Sequence, residues 1–118
     1  MSTFEYVRVF GWTCGFEAFI YLPLLILKKT SLKRSVGILL AANFATHPLV
    51  TFFLPGLAAS LGLAAAGAVV LKEVFAPTIE AIVIRRLSKL SWAESIAVSL
   101  AANLFSWWAG ASLADRIF

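Results

Sequence analysis

The 118-residue chain holds one cysteine, Cys14, one histidine, His47, and one methionine. A lone cysteine excludes an internal disulfide and any paired-thiol metal site. A lone histidine excludes the multi-histidine ligand sets of the usual zinc hydrolases. Charge is scarce as well: only 14% of residues are charged, against roughly a quarter in soluble domains. The ten basic and six acidic residues flank apolar runs rather than forming a water-facing basic stripe, so nucleic acid is not an expected partner. The first apolar run follows Glu5 and Arg8 rather than a basic leader, and no small-residue cleavage site ends it. It is expected to be kept as a helix.

What fills the chain is hydrocarbon. Hydrophobic residues make up 61%, in runs of about 20 residues, the length that crosses a bilayer. These runs are apolar on all sides, unlike the one-sided helices of a soluble core. The expected fold is an all-α integral membrane protein, one domain over residues 1–118, with four transmembrane helices. Span 1 covers residues 9–27 and stops at Lys28-Lys29. Span 2 follows Lys33-Arg34 and ends at 54, where Pro55-Gly56 marks a turn. Span 3 covers 57–84 and stops at Arg85-Arg86. Span 4 starts at Ser91, where Ser91-Trp92-Ala93-Glu94 reads as a capping box, and ends near 113. The basic loops 28–34 and 85–89 share one side, which the positive-inside rule assigns to the cytoplasm, with both termini outside. A bacterial plasma (inner) membrane is the expected location, and the lipid bilayer the first partner.

The chain resembles itself at an offset of 60 residues. Lys29, Ser31, Ser35, Leu40, Ala41, Ala42 and Asn43 recur as Lys89, Ser91, Ser95, Leu100, Ala101, Ala102 and Asn103. With a three-residue gap, Glu17 in "FEAFI" falls over Glu80 in "IEAIV". Each unit, about 9–54 and 57–113, holds two spans, so both copies enter the membrane the same way. That predicts two parallel two-helix repeats about an axis along the membrane normal.

Polar side chains interrupt the apolar runs. At 1.5 Å per residue, Glu17, Asn43, Lys72, Glu73 and Asn103 are expected at one mid-bilayer depth. Glu80 is expected lower, about 7 Å from Arg85, close enough to reach toward Arg85 or Arg86. His47 lies one turn outward of Asn43, before Pro48. An ionisable side chain at the bilayer centre costs about 2.5–3.5 kcal/mol on insertion scales, so these groups must face one another, a wet cavity or a partner. Lys72 is expected to reach Glu17. Asn43 and Asn103 read either as interhelical glue or as part of a coordinating shell. Glu17, His47 and Glu73 are the weak candidates for a metal. No cofactor is indicated. Small-x-x-x-small ridges at Ala58, Gly62 and Ala66, and at Ala102, Ser106 and Gly110, suit close helix packing.

The size and the early-span glutamate resemble the small multidrug exporters, but their glycine-rich fourth-helix pattern is missing. The small fluoride channels also have four spans and an important asparagine, but their Gly-Thr motif and broken third helix are missing. Neither family is assigned. The expected function is an ion- or proton-handling permease or channel component. Glu17, Asn43, His47, Lys72, Glu73, Glu80 and Asn103 are its candidate residues, in a homo-oligomer or a larger membrane complex. The alternative is a non-catalytic structural or assembly subunit. An enzyme is the weakest reading, because the water-exposed loops are very short.

Overall fold

The computed structural model describes residues 2–117, and among them there are helices and turns but no strands. Helix α1 spans Thr3–Leu27, α2 Leu32–Pro48, α3 Leu54–Ser60, α4 Ala65–Leu87 and α5 Trp92–Ile117. A π-helical segment, Leu49–Phe53, joins α2 to α3, so that Leu32–Ser60 is one rod of 29 residues. Three rods are long and apolar enough to cross a membrane: Thr3–Leu27, Leu32–Ser60 and Trp92–Leu113. The remaining rod, α4, carries Lys72, Glu73 and Glu80 along its length.

The second rod corrects the expected span boundary. Pro55-Gly56 does not turn the chain; Pro55 sits in the first turn of α3, where a missing N–H costs little. The π segment lies between Pro48 and Pro55, and its wider i→i+5 bonding carries the helix across both. The reversal comes at residues 61–64. Gly62 adopts φ 69°, a left-handed conformation that glycine takes without steric penalty. Its N–H bonds Ala59 O at 3.0 Å and that of Leu63 bonds Ala58 O at 3.0 Å, which is a Schellman stop. Ala58, Gly62 and Ala66 therefore straddle a turn and form no ridge on one helix.

Helix α1 stops the same way, with Lys29 at φ 64° in the left-handed position. The N–H of Lys29 bonds Ile26 O at 2.9 Å and that of Thr30 bonds Leu25 O at 3.0 Å. The starts are capped by side chains. The expected box at Ser91 and Glu94 forms: Glu94 N–H donates to Ser91 Oγ at 3.1 Å and Ser91 N–H to Glu94 Oε1 at 3.0 Å. A second box, Ser2 with Glu5, opens α1, and Ser31 Oγ caps α2.

The rods pack as a ring. Helix α1 lies against α2 and α5, and α4 lies against α2 and α5. The diagonal pairs α1/α4 and α2/α5 have no Cα atoms within 8 Å among the described residues. The two basic loops meet at one end, where Arg34 Nε donates to Leu87 O at 2.7 Å and Lys28 pairs with Glu94 at 2.6 Å. Just inside that end Tyr21, Leu25, Ile38, Ile84, Leu90 and Val98 form a closed apolar floor. Outside, large apolar side chains such as Phe19, Phe44, Val70, Leu104 and Trp108 are exposed, while Glu17, Asn43, Glu80, Ser95 and Ser99 are buried. A water-soluble monomer does not expose apolar surface on this scale; a protein whose solvent is lipid does.

Candidate functional site

The buried polar groups assemble where the diagonal helices come closest through their side chains. Glu17 of α1 lies beside the carboxyl of Glu80 of α4 and the amide of Asn43 of α2. Glu80 is held from both sides: Tyr21 Oη donates to its Oε1 at 3.0 Å, and Asn103 Nδ2 to its Oε2 at 2.6 Å. Asn103 Nδ2 also donates to Ser99 O at 2.8 Å, and Asn43 Nδ2 to Leu39 O at 2.9 Å. Each asparagine thus spends one N–H on its own helix, which fixes its rotamer, and turns the rest of the amide inward. Ser99 Oγ donates to Pro77 O at 2.6 Å, which ties α5 to α4 one turn outward of Glu80. Glu17 is 2% exposed and Glu80 1%. Glu17 Oε1 accepts no hydrogen bond from any described residue, a costly state for a buried oxygen and one that marks a place for a donor.

Above this pair, on the side away from the basic loops, the four rods line a cavity of about 350 Å³. All seven residues singled out from the sequence line it: Glu17, Asn43, His47, Lys72, Glu73, Glu80 and Asn103. Phe16, Thr46, Ser106 and Trp107 complete much of the wall. Glu17 and Glu80 form its base, and the Tyr21–Leu25–Ile84 floor closes it below. Glu73 lies seven residues above Glu80 on α4, about 10 Å at the helical rise.

Three expectations are corrected by this geometry. Glu80 does not reach toward Arg85 or Arg86; it belongs to the central layer, bonded to Tyr21 and Asn103. Depth counted along α4 alone missed this, because the axial offset between antiparallel rods decides which residues stand level. Lys72 and Glu73 consequently belong above the layer, on the cavity wall. Lys72 makes no ion pair with Glu17 within 4.0 Å; the pair found among the described residues is Lys28–Glu94. Finally, Glu17, His47 and Glu73 do not converge on a metal position. No group of three His, Cys, Asp or Glu among the described residues is placed to hold one. His47 stands outward of Glu17 with its ring against Tyr6 and Phe10, at 5.7 and 5.1 Å between centroids, and its Nδ1 has no hydrogen-bond partner among the described residues.

Tyr21 is a participant that the candidate residues of the sequence do not include. Its signal was the i+4 spacing from Glu17, which sets both on one side of α1. Comparison with family models, with curated proteins and with solved structures finds no match to this chain.

Proposed function

We propose that this is a small four-span membrane protein that handles a proton or small cation at the Glu17–Glu80 pair, as a permease or channel component. The observation that carries the reading is the meeting of two buried carboxyls in the wall of a cavity inside the ring of rods. Two such groups in a site of low dielectric cannot both be anionic without a counter-charge. A bound proton or cation supplies it, and Glu17, whose buried Oε1 has no partner among the described residues, is one of the residues that line the cavity. The closed floor below makes this a pocket rather than a pore. Passage therefore requires Tyr21 and its neighbours to repack, as alternating access does.

The same reading takes α4 as the fourth span, with Lys72, Glu73 and Glu80 on the cavity wall. The two-helix units α1–α2 and α4–α5 are read as parallel repeats. Three observations support the duplication: Ser35 and Ser95 are both fully buried, Asn43 and Asn103 make the same bond to their own helices, and exchanging the units maps the ring of packed rods onto itself. The basic end is read as cytoplasmic and the cavity as opening outward, in a bacterial inner membrane.

The test is flux in proteoliposomes with a pH-sensitive dye inside. The wild-type protein is expected to carry pH-dependent flux, and Glu17→Gln to abolish it while keeping its helical content and assembly state. Flux unchanged in Glu17→Gln, or none in the wild type, refutes the reading. A non-catalytic subunit, alone or as part of a homo-oligomer or larger complex, is the second reading. It is favoured by the outer half of α4, where Val69, Val70 and Val74 are exposed and offer a contact face. Copurification of a stable complex from native membranes, with Glu17→Gln failing to assemble, would favour it instead.

A further inference from the structure

Glu73 belongs to two concave surfaces at once. Its inner side meets the polar cavity. Its outer side meets an apolar groove of about 500 Å³ between α4 and α5. Val74, Pro77 and Ile82 line that groove from α4, and Trp92, Ile96 and Leu100 from α5. The groove lies on the exposed flank of the bundle: Val74 is 62% and Trp92 52% exposed. A hydrocarbon slot on the outside and an acidic chamber on the inside are thus lined by one and the same acidic residue.

We propose that this junction binds a single-chain primary ammonium amphiphile drawn from the bilayer, with its ammonium in the cavity, its chain in the groove and Glu73 at the crossing. The inference rests on the reading of the cavity as cation-handling and names the class of substrate. Charge selects the head group. Glu73 and the Glu17–Glu80 pair, which keeps one negative charge when it shares a proton, stand on the cavity wall against one lysine, Lys72, so an anionic head group is repelled and a cationic one attracted. Hydrogen bonding refines the choice. The Glu73 carboxyl at the crossing accepts hydrogen bonds and calls for an N–H or O–H. A primary ammonium brings three donors, whereas a quaternary ammonium brings none. The groove selects the tail, because it is lined almost entirely by carbon and offers nothing to a second polar group. The bilayer is the source because the groove faces it. A purely apolar guest would leave Glu73 without a role, and a purely hydrophilic amine would leave the groove without one.

The experiment uses the full chain in zwitterionic nanodiscs and 12-bromododecylammonium as the probe. Bromine at the chain end quenches a nearby indole, and Trp92 lines the groove. Saturable quenching is expected, and its saturable part should vanish in Trp92→Phe. Glu73→Gln should weaken the apparent affinity at least tenfold. Thr78→Phe, at an exposed position on the groove wall, should weaken it comparably by filling the slot without touching a charge. 12-Bromododecyl sulfate should give only the linear quenching of membrane partition. Equal, unsaturable quenching by the ammonium and the sulfate overturns the proposal. So does unchanged affinity in Thr78→Phe, even if Glu73→Gln fails to fold. Glu17-dependent proton flux without saturable quenching overturns this inference and leaves the proton-handling reading standing. Saturable quenching with flux indifferent to Glu17→Gln supports the site and overturns that reading.

Discussion

Glu80 is the acceptor that joins three of the four rods, and removing its donors one at a time measures what the junction contributes. Tyr21→Phe keeps the ring that packs into the floor and deletes only the 3.0 Å bond to Oε1. Interhelical hydrogen bonds in membrane proteins average about 0.6 kcal/mol and reach about 1.7, so a loss of about 1 kcal/mol is expected. Asn103→Ala deletes the 2.6 Å bond to Oε2 and a little packing, for a loss of about 1–2 kcal/mol. The double variant should lose more than the sum. With one donor left, the buried carboxyl keeps a partner; with neither, it carries a desolvation penalty of about 1–3 kcal/mol that no single variant exposes. Groups sharing one partner are expected to be coupled in this way. The assay is reversible unfolding in mixed micelles with increasing sodium dodecyl sulfate, followed by tryptophan fluorescence and far-ultraviolet circular dichroism. Losses that add to within about 0.3 kcal/mol, the usual limit for independent sites, would refute the idea that the two donors hold one acceptor. A Tyr21→Phe variant more stable than the wild type would refute it too.

Four further outcomes follow from the geometry. Lys29 holds φ 64°, where a side chain costs roughly 1 kcal/mol over glycine; Lys29→Gly should raise stability by about that amount in the same unfolding assay. Gly62→Ala, at φ 69° with open space around it, should lower stability by about 1 kcal/mol from the backbone alone. Ser91→Ala removes the acceptor of the α5 capping box and should lower it by about 1 kcal/mol. For orientation, single cysteines at Ser31 and at Ser60 in a Cys14→Ser background should react with a membrane-impermeant maleimide from opposite sides, position 31 only after the cells are opened; the same side for both would refute the four-span topology.

Much of this architecture can be read from residue order alone, because the strongest signals are local. Basic pairs stop α1 and α4, the Ser91–Glu94 box starts α5, and apolar length separates the rods. The set of cavity residues was legible for a different reason: hydrocarbon leaves few places for Glu17, Asn43, Glu73 or Asn103 except one another's company. Two things were not legible. The turn lies at Gly62 rather than at Pro55-Gly56 because a π segment carries the helix through both prolines, and "LVTFF" holds no residue that announces it. The central partner of Glu17 is Glu80 rather than Lys72 because the axial stagger of α4 against α1 is set by packing around Tyr21, Ile84 and Leu90, a long-range property. The side chains that meet across the ring are those of Glu17 and Glu80, which the 60-residue offset with its three-residue gap sets over one another.

The hydrogen bond from Tyr21 to Glu80 joins the roof of the floor to the base of the chamber. Any guest that claims the Oε1 lone pairs competes with the phenol for them. Loading from above would then release the tyrosine that helps keep the lower end shut. On the proposed reading, occupancy and opening would be linked through one oxygen atom, a latch loosened by the guest itself.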